Sequence, residues 1–452
     1  MRKSKKLLLL SFVVAVLLLG SMVFLVGAGS KEGEAPKKAK GPITIFWAEW
    51  DPANYLQELC NIYTEETGVV VNVETTPWGD FQTKTFNELA AHGDAYDIVV
   101  GDSQWLGRGA TQGHYVELTD WIKEHNVDKT FSKTTIIGYA EYPKGSGRYW
   151  AVPLEGDACG WSYRKDLFED PKEKAAFKQK YGYELDVPET WFQLRDIAEF
   201  FYRPDQNFYG VAIYTQKDYD AITMGVENVL WAWGAELGDY RTYRVKGILN
   251  SPEGIEALEF YGELYKFCPP DWGNAFFMDN NQAIAEGLVA MSMNYYAFFP
   301  ALVNPEMNKY ADKMGFFAMP KGPKGRWAAL GGQGASIITY SKKQDLAFDW
   351  LEWFVKPETQ EKWAELGGYT CHLATLKSEK FLNATPYNRS FMETMQMVKD
   401  FWAVPEYAEL LEVCQREFHE FVVARSKTAK KALDTIAEEW EAIFEKAGYY
   451  KK

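Results

Sequence analysis

The longest apolar run of the chain comes first. Arg2, Lys3, Lys5 and Lys6 precede an uncharged, Leu- and Val-rich stretch at residues 7–29, which closes on the small residues Gly27, Ala28 and Gly29. A basic start, an apolar centre and a small-residue end is the layout of an export signal. The run exceeds the ~7–15 residues of an ordinary signal core and reaches the ~20 that span a bilayer. Its length suits both a cleaved signal and a retained anchor. Residues 30–41 are polar and charged, with one Pro at position 36, and read as a linker.

Beyond the linker the hydrophobic period alternates between strand-like and helix-like. Residues 43–47 read as a strand. Asp51 and Pro52 then offer an N-cap and a first-turn proline, and Leu56, Leu59, Cys60 and Tyr63 share one helical face. Gly68 is placed to end that helix. A strand at 69–74, a helix at 81–92 and a strand at 96–100 follow. This β-α-β-α-β order predicts an α/β fold with a mostly parallel sheet covered by helices.

The next region has a different texture. Extended segments at 149–153 and 160–163 are followed by helices at 168–181 and 190–201 and a strand at 211–214. Ser251 and Pro252 cap a helix with Ile255, Leu258, Tyr261 and Tyr265 along one face. A helix at 281–287 runs into a strand at 289–293, residues 335–340 form another strand, and the remainder reads as helical. No internal repeat and no second membrane-length apolar run is present in the sequence.

Composition narrows the function classes. With 452 residues, 47% hydrophobic and 25% charged, the chain is globular and long enough for two or three domains. A net charge of −14 opposes binding to a phosphate backbone, so nucleic acid is not an expected partner. Cys60, Cys159, Cys268, Cys371 and Cys414 are scattered and form no C-x-x-C pair, which predicts buried thiols rather than a metal ribbon or redox dithiol. The five His show no metal spacing, and neither G-x-S-x-G nor H-E-x-x-H occurs, so no cofactor or metal is signalled. Gly331, Gly332 and Gly334 lack the spacing of a phosphate loop and read instead as a flexible crossing. Aromatic residues make up 16%, which suits core packing and also stacking on sugar faces.

Ligands of open α/β sheets bind outside the carboxyl ends of the strands. That rule selects Trp47, Glu49 and Trp50 after the first strand and Asp102, Ser103 and Gln104 after the third. Trp47 fits a core position equally well.

Six short segments then occur in a familiar order. They are Trp150-Ala-Val-Pro153 with Tyr163-Arg-Lys-Asp-Leu-Phe168, Pro188-Glu-Thr-Trp191, Glu286-Gly-Leu-Val-Ala-Met291, Met319-Pro-Lys-Gly-Pro323, residues 331–337, and Pro357-Glu-Thr-Gln360. Together they resemble the bacterial extracellular solute-binding proteins of family 1, the maltose-binding-protein-like sugar receptors of ABC importers. Arg164 departs from the family's usual Asn. The resemblance implies a two-lobed periplasmic-binding-protein fold of type II that closes by a hinge. It implies one lobe at 42–155 and 334–380 and the other at 156–333 and 381–452. It implies a monomer without a cofactor that takes a neutral sugar, oligosaccharide or polyol to a membrane permease. The implied ligand contacts are Glu49, Trp50, Asp102, Ser103, Gln104, Glu155 or Asp157, Trp233, Asn294, Tyr295, Tyr296, Gly332 and Gln333. Ala28 or Gly29 stands where lipid-anchored relatives carry a Cys, which leaves release into a periplasm or tethering by the apolar run. An exported carbohydrate-active enzyme and a sensor for another small solute use the same residue types and stay open at this stage.

Overall fold

The computed structural model describes residues 40–218 and 220–450. The export segment and nearly all of the linker lie outside them.

Strand β1 (Lys40–Ala48) carries Ile43, Ile45 and Trp47 into the core. Helix α1 (Asp51–Thr67) buries Leu56, Leu59, Cys60 and Tyr63, the face its periodicity predicts, and ends at a left-handed Gly68 (φ 76°). Its N-cap is Trp50 rather than Asp51, and Asp51 begins the helix instead. There it still places an acid at the positive end of the helix dipole. Strand β2 (Val69–Thr76), helix α2 (Trp78–Ala90) and strand β3 (Ile98–Asp102) complete the repeat.

β1 lies between β2 and β3, parallel to both. The sheet is mixed, however, rather than mostly parallel. Its order is β2-β1-β3-β10-β4, and β10 (Gln333–Ile337) runs antiparallel to β3 and to β4 (Val152–Glu155). The cause is the path of the chain. It leaves this sheet along β4 and returns along β10 through the same narrow crossing, so the two must run in opposite directions. The strand predicted at 149–153 accordingly starts later, at Val152, where pairing with β10 begins.

The second sheet has the order β6-β7-β5-β8, built from β5 (Cys159–Arg164), β6 (Tyr209–Ala212), β7 (Val289–Tyr295) and β8 (Met314–Phe317). β6 and β7 are parallel; β5 is antiparallel to both β7 and β8. A short pair, β9 (Ala328–Ala329) with β11 (Val398–Lys399), interrupts the otherwise helical C-terminal region. Helices Tyr407–Val422 and Ala429–Ala447 close the chain on this side, packed against helices Ala221–Trp233 and Pro252–Leu264.

Much of the aromatic content is core. Trp47, Trp161, Trp191, Trp231, Trp350, Trp363, Trp402 and Trp440 are all fully buried. The five cysteines are buried and unpaired, as their spacing predicts. One buried acid, Asp97, pins the first sheet: it accepts from the Thr44 amide (2.8 Å) and the Ser341 hydroxyl (2.6 Å) and pairs with Lys343 (2.8 Å).

Where the sheets meet, Gly156-Asp157-Ala158 joins β4 to β5, and Leu330-Gly331-Gly332 joins β9 to β10. The two segments pair through Ala158 and Leu330, and the Gly331 amide donates to the Asp157 carbonyl (3.1 Å). The crossing is tightly packed, not a flexible loop. A Cβ on Gly332 would lie 2.1 Å from the Glu155 carbonyl oxygen and 2.2 Å from the Tyr139 hydroxyl, so only glycine fits.

Candidate ligand cleft

A cleft of about 480 Å³ opens between the two sheets at this crossing. From the first sheet it is lined by Glu49, Trp50, Trp78, Asp102, Gln104 and Gln333. From the second come Gln216, Asp220, Phe276, Phe277, Tyr295 and Phe298, and the crossing adds Asp157, Leu330 and Gly331. Among the described residues that line it, none is Arg, Lys or His.

Backbone register assembles the polar floor. Gln333 sits opposite Asp102 on one side and Glu155 on the other. Its Nε2 donates to the Gly331 carbonyl (3.0 Å), while its Oε1 is buried without a partner. Asp102 accepts from the Gln104 amide (3.2 Å) and the Ser103 hydroxyl (3.4 Å). Gln104 Nε2 in turn donates to Asp220 Oδ2 (3.2 Å), a hydrogen bond that joins the loop after β3 to the loop after β6. Asp220 Oδ1 has no partner. Asp157 Oδ1 accepts from the Ala158 amide (2.8 Å) and the Ala297 amide (3.3 Å).

Burial dominates the electrostatics of these acids. It pushes the Asp102 carboxyl up to about 6 against its hydrogen bonds to Gln104 and Ser103. It pushes Asp157 up to about 8 against the backbone donors around it. Asp220 lies well above the carboxylate range through burial and then through the charge of Asp102.

The walls are aromatic. Trp50 meets Trp47 edge-on at 5.4 Å and Trp78 at 5.3 Å. Across the cleft, Phe277 and Phe298 stack at 4.4 Å with an interplanar angle of 8°. Asn294 fixes this wall from behind: its Nδ2 donates to the Phe277 carbonyl (2.8 Å), and its Oδ1 accepts from the Tyr295 amide (2.9 Å) and the Tyr214 hydroxyl (2.6 Å).

The structure therefore brings Glu49, Trp50, Asp102, Gln104, Asp157, Tyr295 and Gln333 to one cleft. The other candidates lie behind its lining or away from it. Trp47 and Ser103 are buried under the first-sheet loops, and Asn294 under the aromatic wall. Glu155 faces away and accepts from the Tyr369 amide (3.2 Å), which leaves Asp157 as the crossing acid in the cleft. Tyr296 is fully buried with its hydroxyl 3.1 Å from that of Thr394. Trp233 packs on Phe260 (4.6 Å) and Phe192 (5.6 Å), and Gly332 serves the crossing. Sequence reasoning missed Gln216 and Asp220, although the strand-end rule that selected Asp102 applies equally to the loop after β6. Phe276, Phe277 and Phe298 carry no comparable signal.

Residues 48–361 match the family of bacterial extracellular solute-binding proteins. The chain belongs to that family. Among its relatives is a probable amino-acid ABC transporter periplasmic-binding protein of Sinorhizobium fredii, 20% identical over 86% of each chain. Another is the erythritol/L-threitol-binding protein of Mycolicibacterium smegmatis, 21% identical over 74% of this chain and 70% of that protein. Among solved structures, an ABC transporter solute-binding protein of Agrobacterium radiobacter in complex with ribitol superposes with a TM-score of 0.73 at 22% identity, covering 90% of this chain and 100% of that one. The match establishes the two-lobed α/β fold of this solute-binding protein. The family and these neighbours are binding proteins rather than enzymes.

Proposed function

We propose that this solute-binding protein captures a sugar or polyol outside the cytoplasm by lobe closure and delivers it to an ABC permease. The observation that carries the reading is the chemistry of the cleft lining: carboxyls, amides and aromatic rings, with no Arg, Lys or His among the described lining residues. Carboxyls and amides serve hydroxyl groups, and rings stack on the C–H faces of a carbon chain or ring. The relatives named above bind different solutes by their descriptions, one an amino acid and others polyols. An amino-acid carboxylate calls for a guanidinium, an ammonium or an open helix N-terminus. Here the described lining offers no such cation, and the residue at the start of helix Ala221–Trp233 is itself an acid, Asp220, so the polyol-like reading fits better.

In this reading residues 42–155 with 334–380 form one lobe, and 156–333 with 381–452 the other. The division follows the sheets, since β1 to β4 and β10 share one and β5 to β8 the other. Cleft residues come from both, so closure on a solute is selected by contacts made only in the closed form. The protein works as a monomer in the periplasm or at the outer face of the cytoplasmic membrane, a placement supported by the basic and apolar start of the chain.

A thermal-shift screen over monosaccharides, oligosaccharides and polyols tests this. One compound should raise the melting temperature, by an amount equivalent to ~2.7 kcal/mol at a hundredfold excess over Kd, and be recovered unchanged. Chemical turnover of that compound by purified protein would refute the receptor reading.

A further inference from the structure

We propose that the solute carries a protonated amine as well as hydroxyl groups, as an amino sugar or amino polyol does. This rests on the cleft being the solute site and adds the charge of the solute.

The unsatisfied hydrogen-bonding capacity of the polar floor is acceptor capacity; on the wall the Trp50 indole N–H is an unpartnered donor, which suits a hydroxyl of the same solute. Gln333 is 2% exposed, its Nε2 is committed to the Gly331 carbonyl, and its Oε1 is left without a partner. Asp220 Oδ2 receives the amide of Gln104, and its Oδ1 receives nothing. Asp102 and Asp157 accept only from backbone amides and a hydroxyl. All three acids thus meet neutral donors, and no cation of the described lining balances them.

A hydroxyl supplies one donor and brings lone pairs of its own; an ammonium supplies three donors and no acceptor. Only the ammonium also brings the positive charge beside which a floor carboxyl that burial otherwise keeps protonated can ionise and form a charged pair. The aromatic walls favour the same group. Phe277 and Phe298 have no polar tip for a hydroxyl, whereas ring faces attract a cation. A metal ion is a poorer occupant, because no grouping of three or more His, Cys, Asp or Glu among the described residues has the arrangement to hold one.

The test is titration calorimetry with matched pairs on the wild-type protein and on Asp220→Asn: D-glucosamine against D-glucose, and 1-amino-1-deoxy-D-glucitol against D-glucitol. The amine member of at least one pair should bind tenfold or more tighter than its neutral twin. In Asp220→Asn, checked for an unchanged fold by its melting curve, that preference should fall below threefold. A neutral twin that binds as tightly as its amine overturns the inference and leaves the sugar and polyol reading in place. An amine preference that survives Asp220→Asn intact overturns the assignment of the charge to this floor. If no member of either pair binds, the inference is overturned, while the sugar and polyol reading stands or falls on the thermal-shift screen.

Discussion

Asp157 is where stability and binding oppose each other most directly. It is 2% exposed, holds the crossing between the lobes, and faces the cleft. Asp157→Asn keeps an oxygen for the Ala158 and Ala297 amides and removes the ionisable group. The carboxyl stands at about 8 in the folded protein against an ordinary 3.8. A folded value above the unfolded one means that the native state holds a proton the unfolded chain has released. Stability is then undiminished below the unfolded value and falls as the pH rises from there to the folded value. The integrated loss is of order 4 kcal/mol at pH 7. For a chain of this size that corresponds to roughly 5 °C in melting temperature. The assay is the melting temperature of both proteins by calorimetry between pH 4 and pH 8.5, without solute. The curves should meet near pH 4 and separate steadily, the variant higher, until about pH 8. Solute affinity should fall in the same variant. Parallel curves across that range would show that Asp157 ionises like a surface acid, and would refute the view of a dry cleft floor.

Other outcomes follow from the same geometry. Gly332→Ala forces a Cβ into the Glu155 carbonyl and the Tyr139 hydroxyl, and should lower stability by about 1–3 kcal/mol and weaken solute binding, read by melting curves and calorimetry. Phe298→Ala removes one ring of the Phe277 stack and should weaken solute binding about tenfold, a loss of ~1.4 kcal/mol, with the melting curve of the free protein nearly unchanged. The five buried cysteines should resist a thiol reagent in the native protein and all react once it is denatured, because burial raises the Cys60, Cys268, Cys371 and Cys414 thiols above their ordinary range.

Features set by near neighbours along the chain could be read before any fold was known. The face of α1, the glycine that ends it, the cap at Ser251 and the strand that starts at Val289 were legible because each is set by a period or a capping pair within a few residues. The strand-end rule likewise located Glu49, Trp50, Asp102 and Gln104 on the first-sheet side of the cleft, since loop position follows from strand direction. Tertiary structure decided the rest. The choice between Glu155 and Asp157 turned on a three-residue crossing whose direction depends on β10, which arrives far along the chain. The bond from Gln104 to Asp220 spans 116 positions, and no local pattern announces it. Trp50 and Trp233 are the same residue type, yet one lines a cleft and the other fills a core. An aromatic ring gains from burial against either a protein or a solute, and only the packing of both lobes distinguishes the two.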